Sequence, residues 1–427
     1  MASHEPLSIL SLDGGGIRGI SSLLILENIM ENIRKTKGLD RVPRPCEYFD
    51  LIGGTSTGGI IAIMLGRLGM TADECIRAYR KVAQQAFTPK RTSLLPARPS
   101  GAFSAKALEN SIKQIVREFC LEEECISHRR QGLSTVDTCP HSDMTFQDKT
   151  CVKTVVLTIT KENVDAPPTL FKTYDMSTAF DSCTIWQVAR ATSAATTFFK
   201  PIKVGRDSIE FIDAAFGYNN PCEILIEEGQ RQFPGHSQMR VLSIGTGVGH
   251  VVPVGNWLSV IKARKKLVTS SKMVAASLDH RYGGTGQYHR FNVDDGLQDI
   301  TLSDWKKASK ISAHTHNYLA ENKRKIKKFV DGLAGMTRAG EEHRGEMAHA
   351  LNEGGLDNEL TRIPEIPLIA YHEEKQIAAT VGKISATPTG EKTTKCLTCT
   401  AWSTWQHEYG FKENVPQDGQ WRIQYAI

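Results

Sequence analysis

The chain has 427 residues, with 52 Lys+Arg against 47 Asp+Glu and a net charge of +5. A hydrophobic share of 40% beside 23% charged residues fits a soluble globular chain and excludes a mostly disordered or collagen-like one. The length allows two or three domains or one large core, and so weak a net charge gives no ground for a nucleic-acid partner.

The charge is unevenly placed. Residues 257–331 carry 15 Lys+Arg and 7 Asp+Glu, a local +8 that leaves −3 elsewhere. Such a basic surface is either a solvated helix face or an attraction for anionic membranes. No apolar run approaches the roughly 18 to 20 residues that span a bilayer. The opening Met1-Ala-Ser-His-Glu-Pro6 lacks a charged region followed by an apolar one. The expectation is a cytoplasmic protein without signal peptide or transmembrane segment, its ten cysteines reduced. Cys396-Leu-Thr-Cys399 is the one close cysteine pair, which alone is weak ground for zinc or redox chemistry; no metal or other cofactor is expected.

In chain order, Leu7–Leu12 alternates like a strand and runs into Asp13-Gly-Gly-Gly-Ile-Arg-Gly19. Leu26, Ile29, Met30 and Ile33 then follow the spacing of a buried helix face. A second such unit follows: a strand over Tyr48–Ile52, a turn over Gly53–Gly59 and an apolar helix over Ile60–Leu65. Repeated alternation of this kind predicts an α/β sheet covered on both faces. From 86 to 150 the pattern weakens to one helix, Ser104–Val116 with Ser104 as its cap, and a polar stretch over Ser134–Lys149 that reads as an insertion or surface loop. Strands return at Lys153–Ile159, Ile209–Ile212 and Met239–Ile244, with a helix over Thr184–Ala195 and three or more helices over 257–331. Beyond Gly335 the chain turns polar, yet Trp402, Trp405 and Trp421 make it too aromatic for a pure linker, so a docked tail or a protein-partner contact is expected.

Gly54-Thr-Ser56-Thr-Gly58 is a GxSxG on a strand-to-helix turn, the setting that forces a serine hydroxyl out at the top of a sheet. Such a nucleophile needs a base, and its tetrahedral intermediates need hydrogen-bond donors. By order along the chain, His236, His250, His280 and His289 are all available for a Ser-His-Asp arrangement, and none has a distinctive frame. Gly14, Gly16 and Gly19 also satisfy the dinucleotide pattern GxGxxG, but the acidic residue that should close the next strand is displaced to Asp50. The alternative is an oxyanion loop of consecutive backbone N–H groups.

Four stretches in order, Leu10–Gly19, Phe49–Gly59, Ala191–Phe199 and Asp213, resemble the patatin-like phospholipases, and the match covers about residues 7 to 250. The stretches Tyr288–Val293 and Thr315–Leu319 are similar to the C-terminal helical part of fungal and plant members. The resemblance implies a three-layer α/β patatin-like fold with a mostly parallel central sheet, a nucleophile-elbow serine and added C-terminal helices. It divides the chain into a catalytic domain at 7–226, a continuation of the core at 227–334 containing the last strand and the basic helices, and a tail at 335–427.

The implied function is lipid acyl hydrolysis by a Ser-Asp dyad through an acyl-serine intermediate, independent of calcium. Ser56 would be the nucleophile and Asp213 the base, with amides of Gly14, Gly15 and Gly16 as oxyanion hole, Arg18 holding that loop or meeting a lipid phosphate, and Gly54 and Gly58 supporting the elbow. A phospholipid or glycerolipid substrate and a peripheral membrane surface, met by the basic segment, are the implied partners. One departure stands out. The family follows the aspartate with glycine, whereas this chain reads Asp213-Ala214-Ala215. A left-handed backbone at 214 would cost alanine about 1 kcal/mol and displace the carboxylate, which keeps a lipid-binding module of the same fold in view.

Overall fold

A computed structural model describes residues 5–87, 102–174, 177–196, 198–247 and 271–334. Two strand–helix units open the chain: β1 (Leu7–Leu12) with α1 (Gly19–Lys37), and β2 (Leu51–Thr55) with α2 (Thr57–Ala62), which widens into a π-turn over Ile63–Arg67. Three helices follow, α3 (Ala72–Ala86), α4 (Ala105–Glu118) and α5 (Glu123–Arg130). Next come β3 (Lys153–Thr160), β4 (Thr169–Lys172), α6 (Ile185–Thr192), β5 (Ile202–Val204) and β6 (Ile209–Asp213). The chain continues with α7 (Ala215–Tyr218), α8 (Cys222–Gln232), β7 (Met239–Ile244), a helix over 271–278 (α9), β8 (Tyr288–Phe291), α10 (Ala308–Glu321) and α11 (Lys323–Ala334).

The strands form one sheet in the order β5-β6-β3-β2-β1-β7-β8, with β4 also on the edge of β3. The run β3-β2-β1-β7-β8 is parallel, and β4, β5 and β6 pair antiparallel. Every residue of β1 and β2 is buried, as a parallel sheet covered on both faces requires. One face packs on α1, whose Leu26, Ile29, Met30 and Ile33 are fully buried. The other packs on α8 through Leu225 and Ile226. The fold is a three-layer α/β sandwich. From β1 the chain goes first to β2 on one side and later to β7 on the other. The carboxyl end of β1 is therefore a topological switch point, the place where open α/β sheets form a crevice.

Several expectations shift. The second strand begins at Leu51, three residues later than Tyr48, and takes in Gly53, Gly54 and Thr55, which had read as turn. A Cβ on Gly53 would lie 2.4 Å from Leu225 Cδ2 of α8 and one on Gly54 would lie 2.1 Å from Gly58 O of α2, so these glycines answer to packing, not to a bend. Tyr288–Phe291 is a strand parallel to β7, so β7 is not the last strand and this stretch is not helical. Ser104 caps α4 by accepting the Ala107 amide, as its position in sequence suggests. The helix α5 fell within the weak stretch and was missed. Residues 335–427, with Cys396, Cys399 and the three tail tryptophans, lie outside the described residues, as do His250 and Lys262 to Lys266.

Candidate active site

Strand β2 delivers the elbow. Ser56 sits between β2 and α2 with φ 55 and ψ −122, a left-handed backbone that a non-glycine residue holds only under constraint. Two contacts supply it. The Ser56 amide donates to Thr192 Oγ1 at 2.8 Å, and that hydroxyl donates on to Leu157 O at 2.7 Å, so the end of α6 and strand β3 together fix the turn.

Strand β6 ends on Asp213, opposite Thr158 of β3. Ser56 Oγ donates to Asp213 Oδ2 at 2.5 Å, while Asp213 Oδ1 accepts the Ala215 amide at 2.8 Å. The carboxyl is buried, and burial pushes its pKa up to about 7 against the opposing pull of the Ser56 hydroxyl and the Ala215 amide. Ala214 has φ −70 and is fully buried, so the substitution for glycine carries no left-handed strain and leaves the carboxylate in reach of Ser56.

The glycine loop after β1 crosses above Ser56. Gly14 donates its N–H to Asn219 O at 3.1 Å, and Gly16 donates to Thr57 Oγ1 at 2.7 Å. Of the three amides expected to face an oxyanion, Gly15 alone makes no hydrogen bond among the described residues. The loop is pinned further by Thr246 Oγ1, which donates to Gly14 O at 2.8 Å, and by Tyr79, whose hydroxyl donates to Gly16 O at 2.8 Å. Gly16 has φ +57, and a Cβ on Gly15 would lie 2.0 Å from Thr246 Oγ1, so side chains are excluded where the loop passes closest.

Asp13, just ahead of the loop, is buried and bidentate to Arg290 from β8, at 2.8 and 2.5 Å. Replacing Arg290 with methionine strands that carboxylate, with an expected loss of about 3 kcal/mol in urea unfolding. An unchanged unfolding midpoint would mean that water reaches Asp13.

Ser56, Asp213, Gly14, Gly15, Gly16 and Arg18 all line one cavity of about 1140 Å³. Its lining includes apolar Ile60, Val82, Phe87, Leu108, Phe198 and Phe199, and also charged residues, the cations Lys272, Arg290 and Lys325 with the acids Asp279, Asp294, Asp295 and Glu321. Arg18 is buried at the start of α1. His236 bonds to Glu5 O, and His289 bonds to Gly286 O and packs on Phe329; neither they nor His280 line this cavity. The supporting residues Thr192, Thr246, Asn219, Asp13 and Arg290 were not singled out from sequence. Asp13, Thr192 and Arg290 lie inside stretches that carry the resemblance, but no single residue of these types carries a local signal of such contacts.

A mostly parallel sheet with a strained serine elbow at its switch point defines the class of α/β proteins built around a nucleophile elbow. Within that class, the patatin-like phospholipase family model matches residues 10–226, half of the chain, and the protein belongs to that family. Calcium-independent phospholipase A2-gamma of Homo sapiens is 27% identical over 346 residues, covering 77% of this chain and 40% of its own length. Phospholipase A I of Arabidopsis thaliana is 26% identical over 387 residues, covering 77% of this chain and 28% of its own. A relative described as probable inactive patatin-like protein 9, also of Arabidopsis thaliana, is 26% identical over 263 residues, covering 57% of this chain and 62% of its own. The chain thus spans less than half the length of the first two.

Proposed function

We propose that the protein is a lipid acyl hydrolase that cleaves fatty acyl esters of phospholipids or related glycerolipids, with Ser56 as nucleophile and Asp213 as its base. The observation that carries this reading is the 2.5 Å hydrogen bond from Ser56 Oγ to a buried Asp213, set in a cavity with an apolar wall that suits an acyl chain. The names of the relatives, phospholipases among them, agree with it.

In the first half-reaction Ser56 Oγ attacks the acyl carbonyl while its proton passes to Asp213. The tetrahedral oxyanion is met by the Gly15 N–H, held in place by the engaged amides of Gly14 and Gly16. Asp213 then gives the proton to the departing alkoxide, leaving an acyl-Ser56 ester. Water attacks that ester, Asp213 takes its proton, and collapse of the second intermediate returns the proton to Ser56 with release of the fatty acid. A base poised near pH 7 can both accept and return a proton at neutral pH. In this reading Arg18, Lys272 or Lys325, which line the cavity beside Asp279, Asp294, Asp295 and Glu321, would meet a lipid phosphate.

The test is turnover of a nitrophenyl acyl ester and of phospholipid vesicles by the wild type, Ser56→Ala and Asp213→Asn. Loss in both variants supports the dyad. Vesicle binding without turnover in the wild type would favour a lipid-binding module, a reading that the relative described as probable inactive keeps worth testing.

The same reading gives the basic helix a role. No helix among the described residues is long and apolar enough to cross a membrane. On α11, Ile326, Phe329 and Val330 are buried, while Lys323, Arg324, Lys325, Lys327 and Lys328 are exposed, with Lys325 at the cavity wall. At roughly 1 kcal/mol per cation near an anionic surface, changing all five to glutamine should weaken binding to anionic vesicles at least tenfold, with little effect on a soluble ester. Unchanged vesicle binding would remove this face from the membrane contact.

A further inference from the structure

The connection from α5 to β3 runs over residues 131–152 without a helix or strand of its own. So long a structureless segment inside a compact domain is uncommon and needs something to hold it. Toward β3 it is anchored in the main core by the fully buried Phe146, but its first half rests on three buried cysteines, Cys120, Cys125 and Cys139, with Met144 packed against them. That cluster alone is little apolar surface with which to order the first half of the loop.

Those three thiols surround one imidazole. His141 Nδ1 lies 3.3 Å from Cys120 Sγ, 3.6 Å from Cys125 Sγ and 3.5 Å from Cys139 Sγ, and the four donor atoms all lie within 4.8 Å of one another. A tetrahedral zinc, with Zn–S near 2.3 Å and Zn–N near 2.0–2.1 Å, places sulfur and nitrogen ligands about 3.5–3.6 Å apart. The three distances match that geometry. A disulfide would draw two of the sulfurs to about 2.05 Å and leave the third without a role, whereas here each sulfur stands at a similar distance from the same nitrogen.

We propose that Cys120, Cys125, Cys139 and His141 Nδ1 bind a structural zinc ion that staples the 119–152 segment to the catalytic fold. The spacing is C-x4-C-x13-C-x-H, with the first two ligands flanking the start of α5 and the last two in the loop. With four protein ligands the site is closed, which suits a structural ion and not a catalytic one. Its surroundings also fit. The His141 amide donates to Cys139 Sγ at 3.4 Å, as backbone amides do to metal thiolates. Three thiolates and one zinc leave a net negative charge. The Arg129 guanidinium sits beside it, donating to Cys120 O through Nη2, with a buried Nη1 that finds no partner among the described residues.

The residues just past His141 show what the staple would hold. Asp143 Oδ1 accepts the Trp186 indole N–H at 2.7 Å, Met144 O accepts the Ile185 amide at 2.9 Å, and Phe146 donates to Cys183 O at 2.8 Å. These bonds seat the start of α6, and the other end of α6 carries Thr192 beneath Ser56. Sequence reading had set aside Cys396 and Cys399, the one close pair, and passed over these four because irregular spacing gives no recognisable motif.

The probe is zinc itself, on the full chain purified under reductant. Metal analysis should find one zinc per chain, and cobalt exchanged into the site should give the thiolate charge-transfer band and the intense d–d bands of a tetrahedral sulfur-rich site. Cys125→Ser, Cys139→Ser and His141→Ala should each lose the metal, whereas Cys151→Ser and the double variant Cys396→Ser/Cys399→Ser should keep it. Should the ligand variants fail to fold, the wild type still decides the matter. A chelator should lower its melting temperature and raise hydrogen exchange across 119–152, with recovery on adding zinc but not magnesium. A well-folded wild type that holds no stoichiometric metal after incubation with zinc and gives a featureless cobalt spectrum would overturn the proposal. So would zinc that follows Cys396 and Cys399, or a disulfide mapped within the trio.

Discussion

Replacing Asp213 with asparagine is expected to lower kcat/KM by about 10⁴-fold and to raise thermal stability at the same time. The two effects share one cause. Burial lifts the Asp213 carboxyl from its ordinary value of 3.8 to about 7, so the folded protein holds a proton that the unfolded chain releases. Below about pH 4 both states are neutral and the group costs nothing. As pH rises from about 4 to 7 the unfolded chain ionises first, and wild-type stability falls by up to about 1.36 kcal/mol per pH unit. Above pH 7 the penalty levels off near an upper bound of about 4 kcal/mol. Asparagine keeps the shape and can still accept the Ala215 amide, yet it never carries the charge. The gap in melting temperature between the variant and wild type should therefore widen from pH 4 to pH 7 and then stay constant.

In the proposed mechanism the same proton sets the rate. Only the ionised carboxylate can accept the Ser56 proton, so kcat/KM of the wild type should rise with unit slope on the acid side and turn over near pH 7. Ser56→Ala should lose at least as much activity without the gain in stability, because it removes the one hydroxyl donating to Asp213. An acid limb near pH 4, or an Asp213→Asn variant that still turns over ester, would show that another group is the base. His314, which lines the cavity, would then be the first to examine.

Much of this site was legible in the sequence because its parts are local. A strand followed by a glycine loop, and a second strand followed by GxSxG, each announce themselves within ten residues, and β1 and β7 begin and end where alternation placed them. Ser104 is readable as a cap because an N-cap hydroxyl answers an amide only three residues away. What stayed hidden depends on contacts across the chain. Gly53 and Gly54 looked like a turn because glycine in a strand and glycine in a bend are the same letter; only the approach of Leu225 and Gly58 separates them. Among the described residues the short strand β8 pairs only with β7, and its Arg290 finds Asp13 across 277 residues. The glycine loop after β1 shows the limit most clearly. Three consecutive glycines suggest three donors, yet Asn219 and Thr57 take two of them, and neither partner could be inferred from the loop itself.

The glycines of the elbow carry the second large effect, and it is steric. Gly58 does not hold a left-handed backbone; it sits in the first turn of α2 where that helix crosses the end of β1. A Cβ there would lie 2.2 Å from Leu12 O and 2.6 Å from Asp13 O, both backbone atoms at the carboxyl end of the central strand β1. No rotamer change can relieve that clash. Gly58→Ala must either push α2 away from β1 or shift the strand, and each move breaks packing on two layers at once. The expected result is a loss of more than about 4 kcal/mol, in the range reserved for severe core disruption, read as insoluble expression or a collapsed urea midpoint. Any fraction that does fold should have lost about 100-fold in kcat, because a 1 Å displacement of the elbow takes Ser56 out of line with Asp213 and Gly15. Gly217→Ala is the matching control. It lies in α7 with open space around its Cβ position, and alanine favours a helix over glycine by about 1 kcal/mol. If Gly58→Ala folded and turned over as well as Gly217→Ala, the helix would have slack against β1, and the rigidity assigned to the nucleophile would have to come from Thr192 alone.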